Sequence, residues 1–222
     1  MKVINLLCKG RSLTELKTLP ECDMVVLVND FDEEIIKFKY ISEYLSSKKI
    51  HLVLNMVAGA SNGYHSINFF DKFNVAKLVR PYLEGIRTPG SSGQGIPLTE
   101  YFLGMHHKEF MYSGRKYGYD YAGTGIAAFA YSILDCSVNT INIIGLDFYD
   151  NLNYGTSKYL VPCIEGRDYK RDSWTIEEMQ ENFCKLIKSK PQVQVNLTTN
   201  CKNFISEMEK IKNLNIKQVE LK

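Results

Sequence analysis

The residues best suited to chemistry lie in the stretch TINIIGLDFYDNLNY, residues 140–154. A short apolar, β-branched run, Ile141, Ile143 and Ile144, is interrupted by Gly145. Asp147, Phe148, Tyr149, Asp150, Asn151 and Tyr154 follow. In open α/β sheets, ligands bind beyond the carboxyl ends of the strands, so a buried strand that empties into carboxylates and phenols delivers them to a ligand. Just upstream, GTGIAAFAYSILD (residues 123–135) predicts a small-residue turn running into a helix. A helix start offers unpaired N–H groups and a positive dipole end to an anion. Together the two pieces read as one half of a nucleotide site.

A second candidate turn comes at the start of the chain. VINLLC (residues 3–8) predicts a buried strand, and KGRSL follows it. Lys9 and Arg11 flank Gly10, and Ser12 with Glu15 three residues on has the pattern of a capping box. Strand, glycine turn and capped helix make half of a phosphate-binding unit, with two cations to neutralise the phosphate. A basic surface turn accounts for the same residues. MVVLVN (24–29) predicts the second strand, and the acids of NDFDEE complement the dipole of a helix over 33–45. Asp30 and Asp32 also match the D-x-D pattern that holds a metal in many glycosyltransferases. HLVLNMV (51–57) predicts a third strand. Asn29 and Asn55 each fall at a strand exit, where an amide can donate to and accept from a ligand, or simply make a turn.

These groups need a frame, and the rest of the chain predicts one. SINFFDKFNVAKLV (66–79) has the pattern of an amphipathic helix. Residues 88–97 are a glycine- and serine-rich loop, and 97–110 predict a short helix carrying His106 and His107, which as neighbours point to different sides. Residues 150–173 predict a long polar loop with the character of a lid. A helix over 175–188, capped by Ser173 or Asp172, a strand over 192–199, a helix over 202–212 and an edge strand over 216–221 complete the chain. Strands alternating with helices imply a mostly parallel sheet covered on both faces, a three-layer α/β/α sandwich of Rossmann-like type. The expected organisation is one domain over residues 1–222.

The totals narrow the classes. A chain of 222 residues, 45% apolar and 23% charged, has an ordinary globular composition. A net charge of +2 gives no electrostatic case for nucleic acid. No apolar run approaches the roughly 18 residues of a membrane-spanning helix, and the basic, apolar start is too short for a secretory leader. Six cysteines without a C-x-x-C pair argue for reduced thiols and a cytoplasmic location.

The pattern resembles the bacterial CMP-sialic-acid-dependent sialyltransferases of glycosyltransferase family 42. KGRSL is similar to the family's N-G-P-S-L turn, Asn29 and Asn55 match its strand-end asparagines, and Thr124-Gly125-Ile126 with GLDFYDNLNY resembles its T-S-G helix start and following G-[IL]-D-F-Y block. The resemblance runs along roughly residues 1–200. It implies a variant of the GT-A glycosyltransferase fold and transfer of sialic acid from CMP-sialic acid to a sugar hydroxyl, with inversion and without a required metal or other cofactor. It implies donor binding by Lys9, Gly10, Ser12, Asn29, Asn55, Thr124, Gly125, Gly145, Asp147 and Phe148. Tyr149 and Tyr154 would donate to the departing phosphate, where fixed O–H groups stabilise growing charge. The partners implied are a CMP-sugar and a glycan or lipooligosaccharide acceptor; a homo-oligomer is compatible with the pattern.

The chain departs from the family in two places. The family's general-base His falls here near Lys170, and no His follows His107. A protonated Lys is a poor base unless desolvation lowers its pKa, so Asp168, Asp172 and a His from the earlier loop stand beside Lys170 as candidates. Lys9 and Arg11 replace uncharged residues. Three other readings remain: a catalytically silent nucleotide-sugar binder on the same scaffold, a metal-dependent glycosyltransferase using Asp30 and Asp32, and a phosphate-handling domain of pyrophosphokinase or methyltransferase type.

Overall fold

The structure is a computed structural model that describes residues 1–28, 31–53, 69, 72–80, 109–112, 123–148 and 175–220. Its described strands are β1 (Val3–Leu7), β2 (Met24–Val28), β3 (Ile50–Val53), β4 (Val75–Arg80), β5 (Glu109–Tyr112), β6 (Thr140–Ile144), β7 (Gln194–Thr199) and β8 (Leu214–Gln218). They form one eight-stranded sheet in the order β5-β4-β3-β2-β1-β6-β7-β8. Every neighbouring pair is parallel. The expected mostly parallel sheet is therefore parallel throughout. The order runs outward from β1 in one direction up to β5, then returns to the other side of β1 with β6. The topological switch point thus lies between β1 and β6, the place at whose carboxyl edge open α/β sheets bind their ligands.

Both faces are covered, which is why the central strands read as unbroken apolar runs. All five residues of β2 are buried. On one face lie helices α3 (Thr124–Asp135) and α4 (Ile176–Lys188), with Phe129 of α3 and Phe183 of α4 packed at a ring separation of 4.5 Å. On the other lie a 3-10 helix (Arg11–Thr18) and the short helices α1 (Asp32–Lys37) and α2 (Lys39–Ser46). This is the expected three-layer sandwich. No helix of the described residues is long and apolar enough to cross a membrane. The five described cysteines, Cys8, Cys22, Cys136, Cys184 and Cys201, are free thiols.

A polar feature crosses the apolar sheet. Asn5, Asn142, Asn196 and Asn215 occupy matching positions of β1, β6, β7 and β8. Each side-chain amide donates to the carbonyl oxygen of the next: Asn215 to Asn196 at 3.0 Å, Asn196 to Asn142 at 2.8 Å and Asn142 to Asn5 at 2.8 Å. Asn5 closes the row by donating to the Pro20 carbonyl and the Tyr44 hydroxyl. A one-residue slip of any strand would break the row and turn an amide into the opposite, apolar layer.

Several expectations for elements are corrected. Val75–Arg80 is strand β4, not the end of a helix over 66–79. Val75 and Val79 are both buried, and a spacing of four satisfies the strand period as well as the helical one. Glu109 and Phe110 open strand β5, not a helix end. The helix expected over 33–45 is two helices broken at Phe38, which has extended backbone. The helix expected over 202–212 reduces to a 3-10 turn, Met208–Lys210. Here buried Gln180 takes the backbone's bonds, accepting from Ile205 N–H at 2.8 Å and donating to the Asn203 carbonyl at 2.8 Å. The cap of α4 is Thr175, in a capping box with Glu178, in place of Ser173 or Asp172.

Candidate functional site

The two turns singled out in the sequence meet at the switch point. β1 and β6 are adjacent and in register from Val3–Thr140 to Leu7–Ile144, so KGRS and GLDF leave the sheet side by side. Two backbone bonds continue the pairing past the strand ends: Cys8 N–H to the Ile144 carbonyl and Gly10 N–H to the Gly145 carbonyl, both at 2.8 Å. The approach is close. A β-carbon at Gly10 would collide with the Asp147 carboxylate and the Gly145 carbonyl. Gly145 has φ +78°, and a β-carbon there would strike the Cys8 carbonyl. Both positions therefore demand glycine, one for space and one for space and backbone conformation together.

Asp147 ties these turns together. Its Oδ1 accepts from the Ser12 hydroxyl at 2.6 Å, the Asn200 N–H at 2.9 Å and the Thr199 hydroxyl at 3.2 Å; its Oδ2 accepts from the Ser12 N–H at 3.0 Å. Fully buried Ser12 in turn accepts from the Gly145 N–H at 2.9 Å. The capping box expected at Ser12 is accordingly not formed: Gly10 is the N-cap of the 3-10 helix, without a side-chain cap bond. The Ser12 oxygen accepts from the Gly145 N–H in place of a helix N–H, and its proton goes to the Asp147 carboxylate. Thr199 and Asn200, at the end of β7, were not singled out in the sequence. A Thr-Asn pair at a strand exit carries no local signal that another strand's turn requires it.

Lys9 is buried, with its ammonium 3.2 Å from the Glu34 carboxylate of α1 and 5.8 Å from the centroid of the Phe31 ring. Thr124 and Gly125 open α3, behind Gly123. The Leu146 side chain lies over Gly125, close to where a β-carbon would be. This brings the start of α3 against the loop after β6. Phe148 has φ +48° and a buried ring, packed edge-on to Phe183 at 5.5 Å. A left-handed non-glycine residue costs roughly 1–2 kcal/mol, and burying the aromatic ring offsets it. The side chain joins the core.

Thus Lys9, Gly10, Ser12, Thr124, Gly125, Gly145, Asp147 and Phe148 gather around the carboxyl ends of β1 and β6. Asn29, Asn55, Tyr149, Tyr154, Lys170 and Asp172 lie outside the described residues, as do Asp30, Asp168 and the lid expected at 150–173. Among the described residues, no group of three His, Cys, Asp or Glu side chains is placed to hold a metal ion. Burial raises the Cys8 thiol's pKa, and the charge of Asp147 adds to the rise, so Cys8 fills this corner as a neutral group.

No protein-family model matches the chain, and no curated protein matches it in sequence. Solved structures do. The sialyltransferase CstII from Campylobacter jejuni, in complex with cytidine-5'-monophosphate, is similar with a TM-score of 0.57 and 14% identity, over 97% of this chain and 85% of that one. The same enzyme in complex with the substrate analogue CMP-3FNeuAc is similar with a TM-score of 0.50 and 16% identity, over 99% and 89% of the two chains. At such identities the likeness is one of fold, and it extends over nearly the whole chain.

Proposed function

We propose that the protein is a sialyltransferase-like glycosyltransferase that takes a sugar from a CMP-activated donor and passes it to a glycan hydroxyl. The observation that carries this reading is the meeting of the KGRS and GLDF turns with the start of α3 at the switch point of a parallel sheet. Such a switch point suits a nucleotide, with the phosphate near unpaired helix N–H groups. The fold shared with CMP-bound sialyltransferase structures supports a cytidine nucleotide.

In the proposed reaction, the acceptor oxygen bonds to the donor's anomeric carbon as the bond from that carbon to the phosphate oxygen breaks. CMP departs with the electron pair. The acceptor's proton passes to a base, for which Asp172 and Lys170 are the candidates. The hydroxyls of Tyr149 and Tyr154 donate to the leaving phosphate, in the role that a metal fills in other transferases. Activity that survives chelation supports this role; activity restored only by manganese favours Asp30 and Asp32 instead.

The direct test is calorimetry with CMP, CDP, UDP and GDP. CMP binds, and at 100 times its Kd it stabilises the fold by about 2.7 kcal/mol. Absence of any nucleotide effect overturns the proposal. Tyr149→Phe and Tyr154→Phe lower kcat more than they weaken CMP binding; equal losses contradict the leaving-group role.

A further inference from the structure

Asp147 has a second set of partners beside the role that resemblance gives it. A carboxylate can join protein turns through one oxygen while the other keeps acceptor capacity. Here three donors converge on Oδ1 and one on Oδ2, and all four belong to the protein. They come from both sides of the switch point. Ser12 belongs to the turn after β1, while Thr199 ends β7 and Asn200 follows it. Asp147 itself belongs to the loop after β6, the strand between them in the sheet.

The surrounding residues are shaped to this arrangement. Gly10 leaves room for the carboxylate. Ser12 relays the contact by accepting from the Gly145 N–H while donating to Asp147 Oδ1. Thr199 adds a second tie: its single hydroxyl proton is shared between the Leu146 carbonyl at 3.0 Å and Asp147 Oδ1 at 3.2 Å, and its oxygen accepts from the Cys201 N–H at 3.1 Å. Leu146 is the residue that packs over Gly125 at the start of α3. A chain of contacts therefore leads from β7, through Thr199 and Leu146, to the N-terminus of α3.

We infer that Asp147, Thr199 and Asn200 are positioning residues: an anionic clasp that fixes the spacing of the β1 turn, the β6 turn and the start of α3 before any nucleotide arrives. This deepens the proposed function, on which its consequence for ligand affinity rests. The clasp itself is a property of the free protein. Preorganised donors do not have to be reordered when a ligand binds, so loosening the clasp weakens binding without removing a ligand contact.

Amide hydrogen exchange of the nucleotide-free protein tests the clasp directly. Asp147→Asn must turn an NH2 group toward one set of donors. The Ser12 amide bonds Oδ2 and the Asn200 amide Oδ1, so whichever of the two faces the NH2 then exchanges at least about tenfold faster, while Val195 and Leu197 in β7 keep their protection. Unchanged rates at Ser12 and Asn200, or equal acceleration in β7, overturn the inference. Calorimetry with CMP supplies the second arm. Thr199→Val weakens CMP binding at least about fivefold, and Thr199→Ser, which keeps the hydroxyl, restores it to within about twofold. If Asp147→Asn alone weakens binding, Asp147 is a direct ligand contact and the positioning role falls. If the wild-type protein binds no CMP, the sugar-nucleotide reading falls, and the exchange rates still decide the clasp.

Discussion

Gly145 carries a larger share of the site than its lack of a side chain suggests. Alanine there would face both a left-handed backbone, φ +78°, and a collision with the Cys8 carbonyl. Gly145→Ala is expected to cost at least about 2 kcal/mol, read from the urea midpoint. Buried thiols give a second prediction at this scale. Burial, with help from the Glu207 carboxylate, pushes the Cys184 thiol from 9.0 up to about 12. The folded state therefore keeps a proton that the unfolded chain releases. Stability is unaffected below pH 9 and falls as pH rises from about 9 to about 12. Cys184→Ala is expected to make that decline shallower in thermal melts. A remaining decline is also expected, because burial raises Cys8, Cys22, Cys136 and Tyr44 in the same sense. The residue types at the site were legible because glycine, serine and aspartate after apolar strands mark turns. Their partners were not: whether a Ser hydroxyl caps its own helix or reaches an Asp 135 positions away is decided by tertiary contact.

At the scale of elements, α4 follows local rules closely. Acids fill its first turn, lysines its last, and the Thr175–Glu178 box closes its start. Thr175→Ala is expected to lower stability by about 1 kcal/mol in chemical denaturation. Strands with both faces buried, such as β1, β2 and β6, were readable as apolar runs. Elements went unread where one pattern fitted two periods, as in β4. They also went unread where a distant buried amide claimed the backbone, as Gln180 does for the segment before β8. Helix propensity over residues 202–212 is adequate locally, and burial of Gln180 overrides it.

Across the whole molecule, strand–helix alternation implied a layered parallel sheet, but the strand order could not be read from it. The order depends on which strands share a register, and the asparagine row is one device that specifies it. Asn142 is buried and bonded on both sides within the row. Asn142→Ala is expected to cost about 1–3 kcal/mol, because it strands the Asn5 carbonyl oxygen and the Asn196 amide. Urea unfolding measures the loss.

The tie between Ser12 and Asp147 spans 135 positions, and that from Asp147 to Asn200 a further 53. Such distant partners meet late, because closing long loops is entropically slow. On the ribosome, the turn after β1 emerges early yet meets its partners Gly145 and Asp147 only after β6 has cleared the exit, and the last two donors to Asp147 arrive with the end of β7. The site is therefore among the last parts of the protein to mature. A nascent chain halted before Thr199 would display most of the sheet's sequence while lacking a finished place for a ligand to dock.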